Sequence, residues 1–422
     1  MATTTQPETS DSANQQPEVT PEGTPPAIST SAFGGLQIGW DRIFSTLPIY
    51  IGLIIIWLYF DSQTSGLFIG ARNLSEMAQE FSYEAVLAIG VVFVLLLGEI
   101  DLSLGYLTLL SVALTSTFSS LNHWSAGAAI LAAVAVCTAA GLLQGFLISW
   151  VRMPAFVVTL GGFLIFEGIA YHILGGSTVN VFDPFINSLG TSNLPNWLSW
   201  LSVVVLVGAY LVTSLLGARS RAAAGLRTSS TLRIAITTVA IAAGLAIVVA
   251  TLNSYSGVPI ALALLAAFAI IFWFFSSHFR FGRHIYAVGG NLEAARRAGI
   301  NTTAVRWIVF GISGMMAGIA GVMLVGYAEA GSTTTAGPDL LLDVISIAVI
   351  GGVSLTGGKG SVWAVLLGGV VIASLDSGLN LMDTDPYYVY IIKGAILLAA
   401  ILTDIVGKRW NELPFARMLA RS

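Results

Sequence analysis

Residues 126–150 read AGAAILAAVAVCTAAGLLQGFLISW, without one acidic or basic side chain. A helix needs about 20 such residues to cross roughly 30 Å of hydrocarbon at about 1.5 Å per residue. The run shows no apolar/polar alternation, which excludes the strand of an outer-membrane barrel. The rest of the chain has the same character: it has 422 residues, a mean hydropathy of +0.84, 55% apolar residues and only 9% charged ones. A soluble globule would leave too much of that surface in water. The sequence therefore predicts an all-α, polytopic transmembrane helical bundle. Its lone cysteine, Cys137, lies inside the quoted run, which rules out an intrachain disulfide and points to a small buried apolar residue.

Apolar runs of suitable length place membrane helices near 43–61, 76–98, 103–120, 126–150, 154–174, 198–217, 233–252, 258–278, 304–327, 340–356, 361–380 and 387–405. About twelve spans put both termini on one side. With the termini cytoplasmic, sixteen of the eighteen Lys and Arg residues fall inside, leaving Arg72 outside and Lys393 within a span. The positive-inside rule selects that orientation. The expected domains are a cytoplasmic tail over 1–40, a transmembrane domain over 41–410 and a cytoplasmic tail over 411–422. Residues 1–40 are rich in Ser, Thr, Gln, Glu and Pro and read as disordered. They lack the basic start and immediate apolar core of a secretory signal, so no cleavage is expected. The loops 175–197 and 328–339 then lie outside, polar and low in charge.

The longest cytoplasmic connection between spans, 279–303, contains GNLEAARRAGI at 290–300. The stretch has the chemistry of a short capped helix. Asn291 is a good N-cap, and Glu293 sits in the first turn, where the helix dipole favours an acid. Arg296 and Arg297 fall in the last turn, and Gly299 suits a left-handed terminator. Leu292, Ala295 and Ile300 form an apolar stripe, while Ala294, Ala295 and Ala298 permit close approach by another surface. From these residues alone, a partner-docking helix and a connector lying among lipid headgroups are equally supported.

EAARRAG, from Glu293 to Gly299, resembles the signature of the coupling loop in permease subunits of ABC importers. Its setting, GRHIYAVGGNLEAARRAGIN, is similar to the sugar permeases of the ribose, galactose and xylose type. So are LFIGARNLSEMAQEF before the second span, GEIDLSLG (98–105), MPAFVVTLGG (153–162) and DVISIAVIGGVSLTGGKGSVWAVLLGG (343–369). The Leu-Pro that follows the signature in other importer branches is absent, since Trp307, Ile308 and Val309 lead into the next span. Ribose-type permeases have ten spans, and residues 198–252 would add two, as in the xylose-type branch.

The resemblance implies a sugar-importer permease in the bacterial inner membrane. It implies a homodimer, a separate cytoplasmic ATP-binding subunit that grips Asn291, Glu293, Ala294, Ala295, Arg296, Arg297 and Gly299, and an extracytoplasmic sugar-binding protein. No enzymatic activity, cofactor or nucleic-acid partner is expected of this chain, because ATP would be hydrolysed by the partner subunit. SLTGGKGS is no phosphate loop: Val353 stands where that loop needs its first glycine, and Gly360 where it needs Ser or Thr. His123, His172, His278 and His284 have no metal-ligand spacing.

Ionisable groups within spans are costly and mark functional positions. For a neutral sugar, carboxylates and amides supply hydrogen bonds without requiring substrate charge. The candidate pathway residues are Glu99, Asp101, Glu167, Asp376 and Asn380. Glu99 and Asp101 break an apolar run and equally suit capping of the third span, while Glu167 suits a polar contact between helices. Lys393 either pairs with an acid such as Asp376 or snorkels to an interface. The competing function is a twelve-span, proton-coupled sugar transporter, but the GEIDLSLG connection lacks the basic Gly-Asp-Arg/Lys-Gly pattern of that class.

Overall fold

The computed structural model describes residues 1–2, 40–223, 225 and 231–412, and it describes side chains outside 40–48, 400 and 403–412. The expected tail residues 3–39 and 413–422 and residues 224 and 226–230 lie outside the described residues. The chain divides into two units, Met1–Pro48 and Ile49–Ser422. Of the first, only the two terminal residues and the opening of a helix are described. The second holds everything that follows.

The architecture is helical throughout. In order come α1 (Trp40–Gln63), α2 (Ala71–Leu96), α3 (Leu104–Ser116, continued by a π-turn over Thr117–Leu121), α4 (Ala126–Ser149) and α5 (Ala155–Leu174). A two-residue strand β1 (Val179–Asn180), α6 (Pro184–Thr191), α7 (Asn196–Ala223), α8 (Thr231–Asn253) and α9 (Ile260–His278) follow. The chain continues through α10 (Arg280–Gly290), α11 (Leu292–Arg297), α12 (Thr302–Ala328), β2 (Ala330–Gly331), α13 (Pro338–Ile350), α14 (Ala364–Leu381) and α15 (Pro386–Glu412). Among the described residues, nine helices are long and apolar enough to cross a membrane. The helices α1 and α15 are 24 and 27 residues long.

The segment expected to span at 340–356 is different. Its helix, α13, has only 13 residues, about 20 Å at the helical rise, which is too short to cross alone. Irregular chain over 351–363 continues it, part buried at Val353, Ser354 and Val362 and part exposed, and its backbone is met by neighbouring turns. The contacts are with other turns: the Gly358 amide donates to the Leu96 carbonyl at 2.9 Å, and the Tyr286 hydroxyl donates to Gly360 O at 3.1 Å. Periodicity and length do not distinguish a short buried helix from a span when the flanking turn is also apolar.

The bundle is organised around α2 and α12. From Phe81 to Leu96 every residue of α2 is buried, as expected for a helix that is apolar all round. α12 packs on α2, α3, α4 and α6. Its most extensive packing is on α4, where Gly141 stands against Gly314 and Gly318 against Val134 and Cys137. Small residues four apart on both helices bring the backbones together, and dispersion replaces the hydrophobic drive that lipid cannot supply. Cys137 is buried there, as a small apolar residue.

The added helices α7 and α8 pack chiefly on each other and share a small cluster of Val203, Val249, Leu252 and Val258. Tyr210 on α7 donates to the Thr237 hydroxyl on α8 at 3.0 Å. They form a peripheral hairpin with little buried surface.

The two long polar loops meet at one end of the bundle. β1 pairs antiparallel with β2, Val179 opposite Gly331 and Asn180 opposite Ala330. The helix α6, capped by Asp183, presses Gly190 against the Gly326–Tyr327 backbone. The connections around 98, 289 and 357 meet one another at the Leu96 end of α2. The loops thus gather into two groups, one at each end of α2.

Candidate functional site

At the Leu96 end, α11 is the short helix read from the sequence. The Asn291 side chain accepts from the Ala294 amide at 2.9 Å, satisfying one of the donors that a helix start leaves open. Glu293 pairs with Arg297 at 3.2 Å and Arg296 at 3.7 Å. Gly299 has φ +80°, the left-handed geometry that ends a helix, and the Ile300 amide returns to the Ala295 carbonyl at 3.1 Å. Asn301 then caps α12 by accepting from the Ala304 amide at 3.0 Å.

Ala295 faces inward and is 4% exposed, while Leu292 and Ile300 pack against the core. Of the expected docking residues, Ala295 is therefore a foot of the helix and is not part of its outer face. Asn291, Glu293, Ala294, Arg296, Arg297 and Gly299 are exposed. The outer face thus carries one acid and two guanidinium groups around a small residue.

The end of α10 that leads into the helix is packed closely against two other turns. Gly289 at the end of α10 lies against the Leu96 carbonyl with no space for a side chain, and Gly358 closes on Gly290. Burial pushes the Tyr286 phenol above its usual range, partly offset by a hydrogen bond with Ser276. Tyr286 therefore remains a donor to Gly360. These contacts join the α10–α11 loop to the end of α2 and to the turn between α13 and α14.

A second site lies toward the other end of the same helices. Glu80, Tyr83 and Glu84 of α2, Leu340 and Asp343 of α13, Asp376 and Asn380 of α14, Val389 and Lys393 of α15, and Thr335 line a cavity of about 250 Å³. Lys393 bridges Asp343 at 3.0 Å and Asp376 at 2.6 Å. Such a pair needs both partners, because either charge alone in a dry interior is costly. Pairing with Asp376 is one of the two readings the sequence left open for Lys393. Asp343, Glu80 and Glu84 were not singled out from the sequence. The signal for the glutamates was present: two acids four apart lie on one helix face inside an apolar span. Asp343 had no comparable local signal.

Oxygens of Glu84, Asp343 and Asp376 lie within 4.8 Å of one another, a spacing that a metal ion can use. The Lys393 ammonium, however, already supplies the positive charge against two of the three.

The remaining pathway candidates are elsewhere. Glu167 on α5 accepts from the Tyr106 hydroxyl on α3 at 2.8 Å, a polar contact between helices. Asp101 accepts from the Ser103 amide at 2.9 Å and hydroxyl at 2.6 Å, and Gln144 donates to that hydroxyl at 3.0 Å. This geometry orders the turn before α3, whose N-cap residue Ser103 makes no side-chain bond to the helix amides, so Asp101 is not the cap of α3. Glu99 is ion-paired with Arg306 at the start of α12. Of the five candidates, Asp376 and Asn380 share the cavity, while Glu99, Asp101 and Glu167 do not line it.

The family described as branched-chain amino acid transport system / permease component matches residues 73–401. The chain belongs to this permease family. Among its relatives, the xylose transport system permease protein of Haemophilus influenzae is 36% identical over 371 residues, covering 86% of this chain and 97% of that protein. The xylose permease of Escherichia coli is 34% identical, with 91% of this chain and 97% of that protein aligned. The ribose import permease of Escherichia coli is 28% identical over 83% of this chain and 91% of that protein. No solved structure matches the chain. The protein is a multi-pass permease of the bacterial inner membrane and not an enzyme.

Proposed function

We propose that this permease is the membrane-spanning subunit of an ATP-driven monosaccharide importer, with xylose the first candidate from its most similar relatives. In this reading both termini are cytoplasmic, and two copies enclose the pathway. A separate cytoplasmic ATPase grips α11, and an extracytoplasmic sugar-binding protein docks on the joined loops 175–197 and 328–339. The cavity around Lys393 then lies in the outer half of the membrane, near the outer ends of α2, α14 and α15.

The observation that carries the reading is the exposed, doubly capped α11, fixed by its neighbours to the helices that line the cavity. ATPase closure would displace α11 as a rigid body. Gly289 transmits that movement to the Leu96 end of α2, and Gly358 transmits it to the turn joining α13 and α14. Those helices carry Glu84, Asp343 and Asp376, so the shape of the cavity follows the nucleotide state. The permease contributes binding, positioning and a two-state path, with no covalent chemistry. Glu99, Asp101 and Glu167 serve this reading as supports of the moving helices along the pathway.

Co-purification tests the docking half. Glu293→Arg replaces the one acid of the outer face with a third guanidinium group, and Gly299→Pro forbids the left-handed terminator. Both variants should insert normally in the membrane and retain less of the ATPase than the unaltered protein. Undiminished ATPase retention by both would overturn the assignment of α11.

A further inference from the structure

The cavity holds more hydrogen-bonding capacity than its own residues consume. Glu84 is 4% exposed, and its Oε2 is buried with no partner. Leaving a buried acceptor unmet costs about 1–3 kcal/mol, and more if it is charged, so an uncompensated acceptor on a residue that lines a cavity marks a place for a donor. Lys393 uses donors on Asp343 and Asp376, and an ammonium has three. The amide of Asn380 also lines the space. Tyr83 gives it an aromatic wall, backed by Tyr327 with ring centroids 5.6 Å apart.

We infer that this cavity is a monosaccharide subsite within the permease, with the Glu84 carboxyl group accepting a sugar hydroxyl, so that the permease itself takes part in selecting its substrate. The inference rests on the importer reading and adds a specificity residue to it. Three features favour a sugar. A polyol presents donors and acceptors on adjacent carbons, which matches an empty carboxylate acceptor beside an ammonium with a donor to spare. Its C–H face suits the Tyr83 ring. A volume of about 250 Å³ lies below the roughly 300–1,000 Å³ of pockets for drug-sized ligands, which fits a single small ring. A metal ion would instead have to share two of its three carboxylates with the Lys393 ammonium, which lies 2.6–3.0 Å from them, and two cations on the same carboxylates repel in a low dielectric.

The experiment uses the full-length permease in nanodiscs of phosphatidylethanolamine and phosphatidylglycerol, without binding protein. Equilibrium binding is measured with radiolabelled D-xylose, D-ribose and D-allose, and separately with sodium and calcium. Saturable binding of at least one sugar is expected. Glu84→Gln puts a donor where the site needs an acceptor and should weaken binding about tenfold, the equivalent of one lost hydrogen bond. Asn380→Ala, at an exposed wall position, should weaken binding several-fold and covers the case in which Glu84→Gln fails to fold. Absence of sugar binding, sugar binding unchanged in the folded variants, or Glu84-dependent binding of a cation in place of sugar would each overturn the inference. Uptake by the reconstituted transporter separates the two levels. ATP-driven uptake with unaltered sugar preference in both variants sinks the subsite alone, whereas absence of ATP-driven uptake by the unaltered protein sinks the importer reading beneath it.

Discussion

Gly289 rests on the carbonyl oxygen of Leu96, and a Cβ at that position would collide with it. This contact fastens the α10–α11 loop to the helix that carries Glu84 twelve residues earlier, about 18 Å along its axis at the helical rise. Gly289→Ala must push two backbones apart. Overpacking of this kind costs about 1–3 kcal/mol, and thermal unfolding in detergent should show a clear loss. Gly290→Ala, where a Cβ meets nothing within 4 Å, should leave the transition nearly unchanged. Equal behaviour of the two variants would contradict the contact.

Lys393→Met leaves Asp343 and Asp376 facing each other without their shared cation. Removing one member of a buried ion pair costs about 3–5 kcal/mol, so the single variant should be strongly destabilised. Adding Asp343→Asn and Asp376→Asn to it should recover a substantial part of the loss, and chemical denaturation of the three-site variant against the single one measures this.

The two ends of the molecule differ in how far the sequence discloses them. The α11 helix was legible residue by residue, because capping by Asn291, dipole compensation by Glu293 and termination at Gly299 are all local and need no tertiary information. Spans such as 126–150 were legible from length and composition, and eleven of the twelve segments contain helices close to the bounds expected. The failure at 340–356 came from apolar chain beyond Ile350 that is irregular and only partly buried. The acidic cavity was only half legible, since Asp376 and Lys393 stand out as charges in apolar runs. Their convergence with Asp343 from a third helix is tertiary, and nothing in the local pattern of α13 encodes it. Ala295 shows the same limit in reverse: its small size suggested a docking face, but helix rotation turns it inward.

Replacing the α11 cap tests whether the loop is preformed. Asn291→Ala removes the acceptor for the Ala294 amide and should cost about 0.5–2 kcal/mol of local stability, while Asn291→Ser should cost little. Hydrogen exchange at 294–298 should quicken several-fold in the alanine variant and remain close to normal in the serine variant.

The Tyr286 hydrogen bond to Gly360 secures the same loop from its other side. Tyr286→Phe should cost about 0.5–1.5 kcal/mol. Because burial raises the phenol's folded pKa, the contribution is fully present below the ordinary tyrosine value near 10 and is lost only as pH rises through the higher folded value. The difference between the two proteins should therefore be the same at about pH 6 and pH 9, within thermal-shift error. A difference that fades across that interval would contradict the assigned donor.

The central claim is that ATP hydrolysis by a partner, gripping α11, drives sugar through this permease. Its most direct test is uptake of radiolabelled D-xylose into proteoliposomes holding the permease, its candidate ATPase and its candidate binding protein, with and without ATP and with a protonophore. The account predicts uptake that requires ATP and both partners, withstands the protonophore and falls sharply with Glu293→Arg. Uptake that proceeds without the ATPase and collapses with the protonophore would contradict it and favour a proton-coupled transporter.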